Sequence, residues 1–139
     1  MNTPPQVIAG GNINVSRFVK PSTAADMTVL QCGANEQAIG VAYEGNNSPP
    51  TPDLATSYAA IAGAPLRIYG PGDVCQVVAG SGGVTRGGRV KSDADGKAVP
   101  IATTGTTIQQ IAGWALETAA ENELFRILLH PYSERPALT

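Results

Sequence analysis

The sequence has 139 residues and a formal net charge of -2, with nine basic side chains against eleven acidic ones. This length fits one domain, and the scattered basic residues exclude the positive patch that nucleic-acid binding requires. Gly (16) and Pro (11) are abundant, whereas charged residues make up only 14%, so the composition predicts many short strands and turns. The sequence contains neither a signal-peptide pattern nor a run of about eighteen apolar residues, so we expect no membrane partner.

The N-terminal segment is predicted to be extended. Residues 1–20 begin with paired prolines and then alternate apolar and polar side chains from Ile13 to Val19. Such alternation is typical of a strand. We therefore predict an extended N-terminal arm over 1–20, followed by a β-rich domain over 21–139.

The first half of the domain is predicted to hold strands around one long loop. Residues 24–44 contain two stretches rich in β-branched side chains, separated by a Gly-Ala-Asn turn signal, and two strands joined by a loop fit best. The prolines of 45–53 remove backbone donors, which predicts an exposed loop. Residues 54–62 fit either a short helix or extended chain that leads into a strand at 65–70.

The second half contains the clearest local signal. Residues 74–79 have strand composition, and the glycines of 80–88 permit turns. Asp-Gly stands at the centre of 93–97, between the alternating segment 89–92 and the returning segment 98–101, which predicts a β-hairpin. Residues 108–123 have helical spacing, but Gly-Trp in the middle favours strands, and a last strand follows at 124–129.

The two halves also resemble each other in outline. Residues 39–44 match 112–117, and Leu66-Arg67-Ile68 matches Phe125-Arg126-Ile127. Because the same element order recurs, we predict two related β-units, at about 24–79 and 88–131. Together they would close into one small, single-domain β-barrel or β-sandwich with long loops.

Residues that often carry chemistry lack the partners that chemistry requires. His130 is the only histidine, and no Ser-His-Asp or Cys-His arrangement follows from spacing. Cys32 and Cys75 have no CxxC spacing, so reduced, partly buried thiols are expected. Glu44 and Glu117 occupy matching repeat positions, and solvated strand ends explain them better than a carboxylate pair for glycoside hydrolysis.

Two loop motifs also fall short of binding sites. Asp93-x-Asp95-Gly96 begins like a calcium loop, but Gly is missing at the sixth position and Glu at the twelfth. The glycine-rich 80–88 segment lacks the lysine of a phosphate-binding loop. We therefore predict no metal, no cofactor and no catalytic residue, and we expect that the protein is not an enzyme.

Four aromatic side chains and two arginines have less decided roles. Core positions are favoured over interface positions for the aromatic residues, because they bury large areas. The arginines either face outwards on alternating strands or form ion pairs between subunits. The residues concerned are Tyr43, Tyr69, Trp114 and Phe125, with Arg67 and Arg126.

A family resemblance rests on the segment 87–131. It contains Val-Lys-x-Asp-x-Asp-Gly-Lys at 90–97, Gly-x-Ala-Leu-Glu-x-Ala at 113–119 and Glu-Leu-Phe-Arg-Ile-Leu-Leu at 123–129. This pattern resembles the C-terminal half of tailed-phage head decoration, or capsid cement, proteins. The first half is similar in style but diverges, and the loop at 45–53 has no counterpart.

The resemblance implies a β-rich accessory protein that binds the outer surface of the mature head. It implies that the protein is made in the host cytoplasm, stabilises contacts between major capsid protein subunits and forms a homo-trimer, with a dimer as the alternative. The apolar N-terminal arm would add a strand to a neighbour's sheet edge. The predicted capsid or oligomer contacts are Val7, Ile8, Ile13, Val15, Phe18 and Trp114.

Two other functions stay open at this point. A β-barrel module of a virion that binds carbohydrate or a host surface is the first alternative, although aromatic residues make up only 5% of the chain. A small hydrolase is the second, and it would need a cleft with a perturbed carboxylate or histidine.

Overall fold

The computed structural model of the protein describes residues 6–42, 58–102 and 108–134. Within these three ranges the chain forms strands, turns and loops, and it contains no helix that is long and apolar enough to cross a membrane. The strands, in chain order, are β1 (Gln6–Ala9), β2 (Ile13–Asn14), β3 (Phe18–Pro21), β4 (Thr28–Gln31), β5 (Gly40–Ala42), β6 (Tyr58–Ala60), β7 (Pro65–Tyr69), β8 (Val74–Val78), β9 (Arg89–Ser92), β10 (Ala98–Pro100), β11 (Gln109–Ala115) and β12 (Leu124–Glu134).

The first unit, residues 6–69, contains a sheet that closes on itself. Strands β1, β4, β3, β5 and β7 are neighbours in that order, and β1 pairs with both β4 and β7. Closure gives each strand a partner at both edges, which removes the open edges of a flat sheet. Alternate side chains fill the inside, namely Ala9, Ile13, Val15, Val19, Val29, Ala42, Ala60, Leu66 and Ile68.

The second unit, residues 74–134, is a five-stranded antiparallel sheet in the order β10-β9-β11-β12-β8. Its outermost strands lie next to each other only through a parallel bridge from Ala79 to Ala98. The corresponding strands of the first unit, β1 and β4, pair in parallel over two residues. The predicted fold class, mainly β with a small barrel, is confirmed.

The two units repeat one pairing pattern. Val41 lies opposite Tyr69 in the first unit, and Trp114 lies opposite Leu128 in the second. Strands β1, β3, β4, β5 and β7 correspond in chain order to β8, β9, β10, β11 and β12, and the neighbours within each sheet correspond as well. The chain therefore contains two copies of one five-stranded arrangement.

Equivalent glycines mark the same close approach in both copies. A Cβ atom built on Gly40 would overlap the carbonyl oxygen of Tyr69, and one built on Gly113 would overlap that of Leu128. Both strands can pass their neighbours at this distance only without a side chain. The sequence match between 39–44 and 112–117 thus has a steric cause.

The N-terminal segment belongs to the first unit, and the prediction of an extended arm over 1–20 is wrong from residue 6 onward. Strand β1 is hydrogen-bonded along both edges, to β4 and to β7. Residues 6–10 (QVIAG) are also nearly identical to 76–80 (QVVAG), of which 76–78 belong to the equivalent strand β8. This part of the repeat was missed because the two segments lie outside the matched strands.

Most local predictions in the second half are confirmed. Strands β9 and β10 form the expected hairpin, with Ser92 opposite Ala98. Residues 109–115 form strand β11 and not a helix. Of the segment 54–62, residues 58–60 are the extended strand β6, while the predicted proline-rich loop at 45–53 lies outside the described residues.

A second buried cluster joins the two units. It contains Phe18 and Val41 from the first unit together with Cys75 and Val77 from the second. The backbone N–H of Phe18 also donates to the carbonyl oxygen of Gly96, at 2.9 Å. The outside of the first barrel is therefore part of the core that the second unit completes.

Candidate functional site

Three of the six predicted contact residues are buried inside the chain. Ile13 and Phe18 have relative exposures of 0%, and Val15 has 6%. Ile13 and Val15 fill the first barrel, whereas Phe18 belongs to the cluster between the units. The prediction of surface contacts is corrected for these three, because their side chains pack inside the first barrel or between the two units and have almost no exposed surface.

The other three predicted contact residues keep some exposed surface. Val7 is half-buried against the barrel interior, whereas Ile8, one position later on β1, is 40% exposed. Trp114 is 39% exposed, so the expectation that it lies in the core is wrong. Its neighbours Ala115 and Gly113 point inwards, and alternation along β11 sends the indole ring outwards.

The exposed apolar residues concentrate on one side of the second unit. Trp114 on β11 lies opposite Leu128 on β12, and Leu128 lies opposite Val74 on β8. Of the nine large apolar side chains that are exposed among the described residues, five lie on this side of the sheet. We call it the outer apolar face; it consists of Val74, Trp114, Leu116, Leu124 and Leu128.

Sequence reasoning found only one member of this face. Strand β12 is apolar at almost every position from 124 to 129, so its inward and outward residues cannot be separated by composition. Its register with β11 decides the matter, since Leu128 shares a face with Trp114. The exposed Arg126, two residues before Leu128, is the signal that identifies the outward parity.

The equivalent cross-strand residues of the first unit are covered by the second unit. Phe18, Val41 and Tyr69 correspond to Arg89, Trp114 and Leu128 by their strand pairings. Phe18 and Val41 are fully buried in the cluster shared with the second unit, and Tyr69 packs against it. These cross-strand residues are thus part of the core in the first unit and lie at the surface in the second.

Charged side chains lie at the edge of the outer apolar face and within it. The Arg89 guanidinium carbon lies 5.9 Å from the centre of the Trp114 ring, within the range of a cation–π contact. Between Leu124 and Leu128 on β12, the Arg126 side chain donates to both carboxylate oxygens of Glu117, at 3.2 and 3.0 Å. These hydrogen bonds hold the pKa of Glu117 below its usual value and raise the pKa of Arg126.

This pair resolves one of the two open arginine assignments. Arg126 faces outwards and forms its ion pair within the chain, with Glu117 of the preceding segment. Arg67, at the equivalent position on β7, is also exposed. Phe125 is fully buried, as expected for a core aromatic residue. Tyr43 lies outside the described residues.

The residues considered for catalysis are one exposed histidine and two buried thiols. His130 is exposed on β12, with its ring 5.5 Å from that of Tyr132. Cys32 and Cys75 are buried free thiols. Burial, together with the neighbouring Glu36 carboxylate, raises the pKa of Cys32 to about 12, so this thiol stays protonated and unreactive at neutral pH.

The Asp-x-Asp-Gly motif forms a tight backbone turn. The Asp93 carboxylate accepts from the backbone N–H groups of Asp95 and Lys97, at 2.8 and 2.9 Å, and so stabilises the hairpin turn. Gly96 adopts a φ of 76°, which the turn requires. Across the described ranges no three His, Cys, Asp or Glu side chains converge as metal ligands, and Glu44 lies outside them.

The fold is shared with a phage head protein. The structure superposes on the N base of the head fiber gp8.5 of bacteriophage phi29 with a TM-score of 0.66 and 22% identity, covering 93% of this chain and 94% of that chain. No curated protein matches the sequence.

The sequence itself defines the family. Residues 1–130 match the family model of the structural cement protein (E217 gp24/Pam3 gp6). The chain belongs to this family of phage structural cement proteins. Its role is that of a phage capsid cement or decoration protein, with a structural function and a place in the virion capsid, as the sequence resemblance predicted.

Proposed function

We propose that the protein binds the outer surface of the mature head and holds neighbouring major capsid protein subunits together. The family match over residues 1–130 carries this proposal. The protein is made in the host cytoplasm, joins the completed shell as a homo-oligomer, with a trimer expected and a dimer as the alternative, and acts by binding without catalysis. Neither nucleic acid nor membrane is a partner.

The cement function can be explained by the linkage between binding and the stability of the mature shell. A protein that binds only the mature shell lowers the free energy of that state by an amount that grows with its concentration relative to Kd. An oligomer that bridges several shell subunits gains effective concentration for each further contact. A stiff, closed barrel suits this role, because little conformational freedom is lost when it binds.

The first unit offers a surface for the shell. Ile8, Met27 and Ile61 are exposed to 40%, 66% and 54%. They lie around β1: the Ile8 N–H donates to the Met27 carbonyl at 2.8 Å, and the turn after Ile61 bonds to Ala9. We call these three residues the β1 patch and assign it to the major capsid protein, in place of the added strand that an extended arm would supply.

The test is cosedimentation of the purified protein with heads that lack it. Wild-type protein should pellet in a fixed ratio with mature heads and stay in solution with immature heads. Met27→Glu should weaken binding at least tenfold, because it places a charge at the centre of an apolar contact. Ile108→Glu is the matched control, since Ile108 is 49% exposed and directly precedes β11 of the second unit.

Two results would contradict the proposal. Wild-type protein that binds neither form of the head would overturn the cement function for this chain. Normal binding by both variants would leave the function in place but overturn the assignment of the β1 patch. Raised thermal stability of the decorated heads, measured in parallel, separates cementing from passive adsorption.

A further inference from the structure

We infer that Met27 is the anchor residue of the β1 patch, the side chain that enters an apolar pocket of the major capsid protein, and that its strained backbone conformation is retained for this contact. The inference rests on the proposed function and deepens it. It names the side chain that makes the contact and the chemistry of the surface that receives it.

The backbone of Met27 is strained and its side chain is exposed. Its φ of 53° lies in the left-handed region, where the Cβ atom of an L residue crowds the following carbonyl oxygen. The side chain is 66% exposed, more than any other large apolar side chain among the described residues. Burial within this chain therefore does little to offset the cost of the conformation.

Three further non-glycine residues of the described ranges have a positive φ, namely Ser16, Asn35 and Asn122. Ser16 is 2% exposed and belongs to the buried interior. Asparagine tolerates the left-handed region, and the Asn35 side chain also donates to the Ile108 carbonyl and accepts from the Gln110 N–H, both at 3.0 Å. These residues have structural reasons for the conformation that an exposed methionine lacks.

The turn that contains Met27 occurs a second time in the chain. In the hairpin of β3 and β4 the Ser22 N–H donates to the Thr28 carbonyl, at 2.8 Å. In the hairpin of β9 and β10 the Asp93 N–H donates to the Lys97 carbonyl, also at 2.8 Å. In both turns the side chain of the first residue accepts from the N–H two positions later, at 3.1 and 2.8 Å. The two hairpins thus close in the same way, although the first turn is longer.

Met27 stands where the second unit has Gly96, since each directly precedes the residue whose carbonyl closes the turn. The adjoining strands agree with this alignment, because Gly10 and Gly80 donate to the carbonyl two positions after each, at 2.8 and 2.7 Å. Both residues are left-handed, with φ of 53° and 76°. The turn therefore requires this conformation, which glycine adopts without strain and methionine does not.

The surroundings of the two turns differ. A Cβ atom at Gly96 would lie 3.0 Å from the Gln31 side chain and 3.3 Å from the Phe18 carbonyl oxygen, so the first unit packs against that turn. The turn of the first unit instead presents Met27 to solvent, beside the exposed Ile8, whose N–H donates to the Met27 carbonyl at 2.8 Å. An apolar residue at a position suited to glycine is explained by a contact outside the chain.

The family supplies the partner and the turn supplies the geometry. Membership among structural cement proteins associates the chain with the phage capsid. Hydrogen bonds hold Met27 on both sides, since the Thr28 hydroxyl donates to the Asp26 carbonyl at 2.9 Å. A fixed backbone presents the side chain at low entropic cost, and the adaptable thioether chain fits an apolar pocket.

Two substitutions separate the anchor from the turn. Met27→Gly relieves the strain and removes the side chain, so it should raise the thermal midpoint by about 1–4 °C and weaken cosedimentation with mature heads about tenfold or more. Met27→Leu keeps both the strain and an apolar side chain, so midpoint and affinity should stay close to those of the wild type. Asn122→Gly is the matched control, an exposed left-handed residue of the second unit, and should bind normally.

Oxidation gives a second measurement without a substitution. Hydrogen peroxide transfers one oxygen atom to the thioether sulfur and is reduced to water, which leaves methionine sulfoxide. Met27 should be oxidised quickly in the free protein and several-fold more slowly on decorated heads, as measured by mass spectrometry of its peptide. Protein oxidised before mixing should bind heads weakly, because the sulfoxide is polar.

The outcomes separate this inference from the proposed function. Wild-type protein that binds no heads would overturn both. Wild-type binding that Met27→Gly retains, or equal oxidation of Met27 in free and bound protein, would overturn the anchor alone. A Met27→Gly protein less stable than the wild type would overturn the assignment of strain to this residue.

Discussion

The two units of this protein show how one architecture yields a core in one place and a surface in another. Both have the same strand order, the same register and a glycine at the same close approach. They differ in closure, since β1 and β4 pair over two residues whereas β8 and β10 share one bridge. They also differ in the equivalent cross-strand residues: Phe18, Val41 and Tyr69 of the first unit are covered by the second unit, whereas Trp114 and Leu128 of the second unit are exposed and lie next to the charged Arg89.

The difference teaches that burial is set by what lies beyond the sheet. Phe18 occupies the place of Arg89, and nothing in the pairing of β3 or β9 distinguishes them. The second unit covers Phe18. An apolar side chain is therefore favoured at this position. Arg89 has no such cover and lies against the Trp114 ring.

The largest expected effect comes from removing the covered side chain. Phe18→Ala should lower the free energy of unfolding by about 3–5 kcal/mol, because a fully buried aromatic ring leaves a cavity between the units. Arg89→Ala, at the equivalent half-buried place, should cost less, about 1 kcal/mol. Urea unfolding followed by circular dichroism measures both, and equal losses would contradict the assignment of one row to the core and the other to the surface.

The equivalent glycines should respond alike. Gly40→Ala and Gly113→Ala should each destabilise by about 1–3 kcal/mol, since the new methyl group meets a backbone carbonyl that cannot move without separating two strands. Gly70→Ala is the control, because a Cβ there has no neighbour within 4 Å. Unfolding midpoints in urea give the comparison, and a neutral result at either strand position would refute the close approach there.

The buried thiol of the first unit should couple folding to pH. The pKa of Cys32 is raised from 9.0 to about 12, first by burial, so the folded protein retains a proton that the unfolded chain releases. Its contribution to stability is complete below pH 9 and is lost as pH rises from 9 to 12. At pH 10 the loss should be about 1 kcal/mol.

A Cys32→Ala variant isolates this effect from other groups that titrate in the same range. The difference in unfolding free energy between the wild type and the variant should shrink from pH 8 to pH 10. A difference that stays constant would exclude the coupling. In the same range the native thiol should react with alkylating reagents only at the rate of unfolding.

The smallest effect is expected at the exposed ion pair of the second unit. Glu117→Gln removes the acceptor of Arg126 and should lower the unfolding midpoint slightly at pH 7, because exposed pairs contribute little. The pKa of Glu117 is lowered, so the contribution is present above the carboxyl's ordinary pKa and is lost as pH falls through the lowered value. Differential scanning calorimetry at pH 7 and pH 3 should show a larger difference at the higher pH.

Much of the fold was accessible from sequence because its signals are local. The hairpin of β9 and β10 follows from an Asp-Gly turn between two short stretches of strand composition. The match of residues 39–44 to 112–117 placed equivalent strands in equivalent positions, since the glycine, alanine and apolar spacing reflect a shared packing constraint.

The rest depends on contacts between distant segments. Residues 6–9 look like a free arm because their partners, β4 and β7, lie about 20 and 60 positions further along the chain. The orientation of Trp114 could not be read from an almost wholly apolar neighbourhood, and only the register with Leu128 assigns it to the outside. The candidate surface was for that reason predicted at one residue and found at five.

The closure of the first barrel by β1 has a consequence for synthesis on the ribosome. Strand β7 ends at Tyr69, so this barrel can form before the second half is translated. Until then Phe18 and Val41 stand uncovered, since their cover comes from Cys75, Val77 and later residues. A nascent first unit would therefore expose an apolar surface that only the downstream half of its own chain covers.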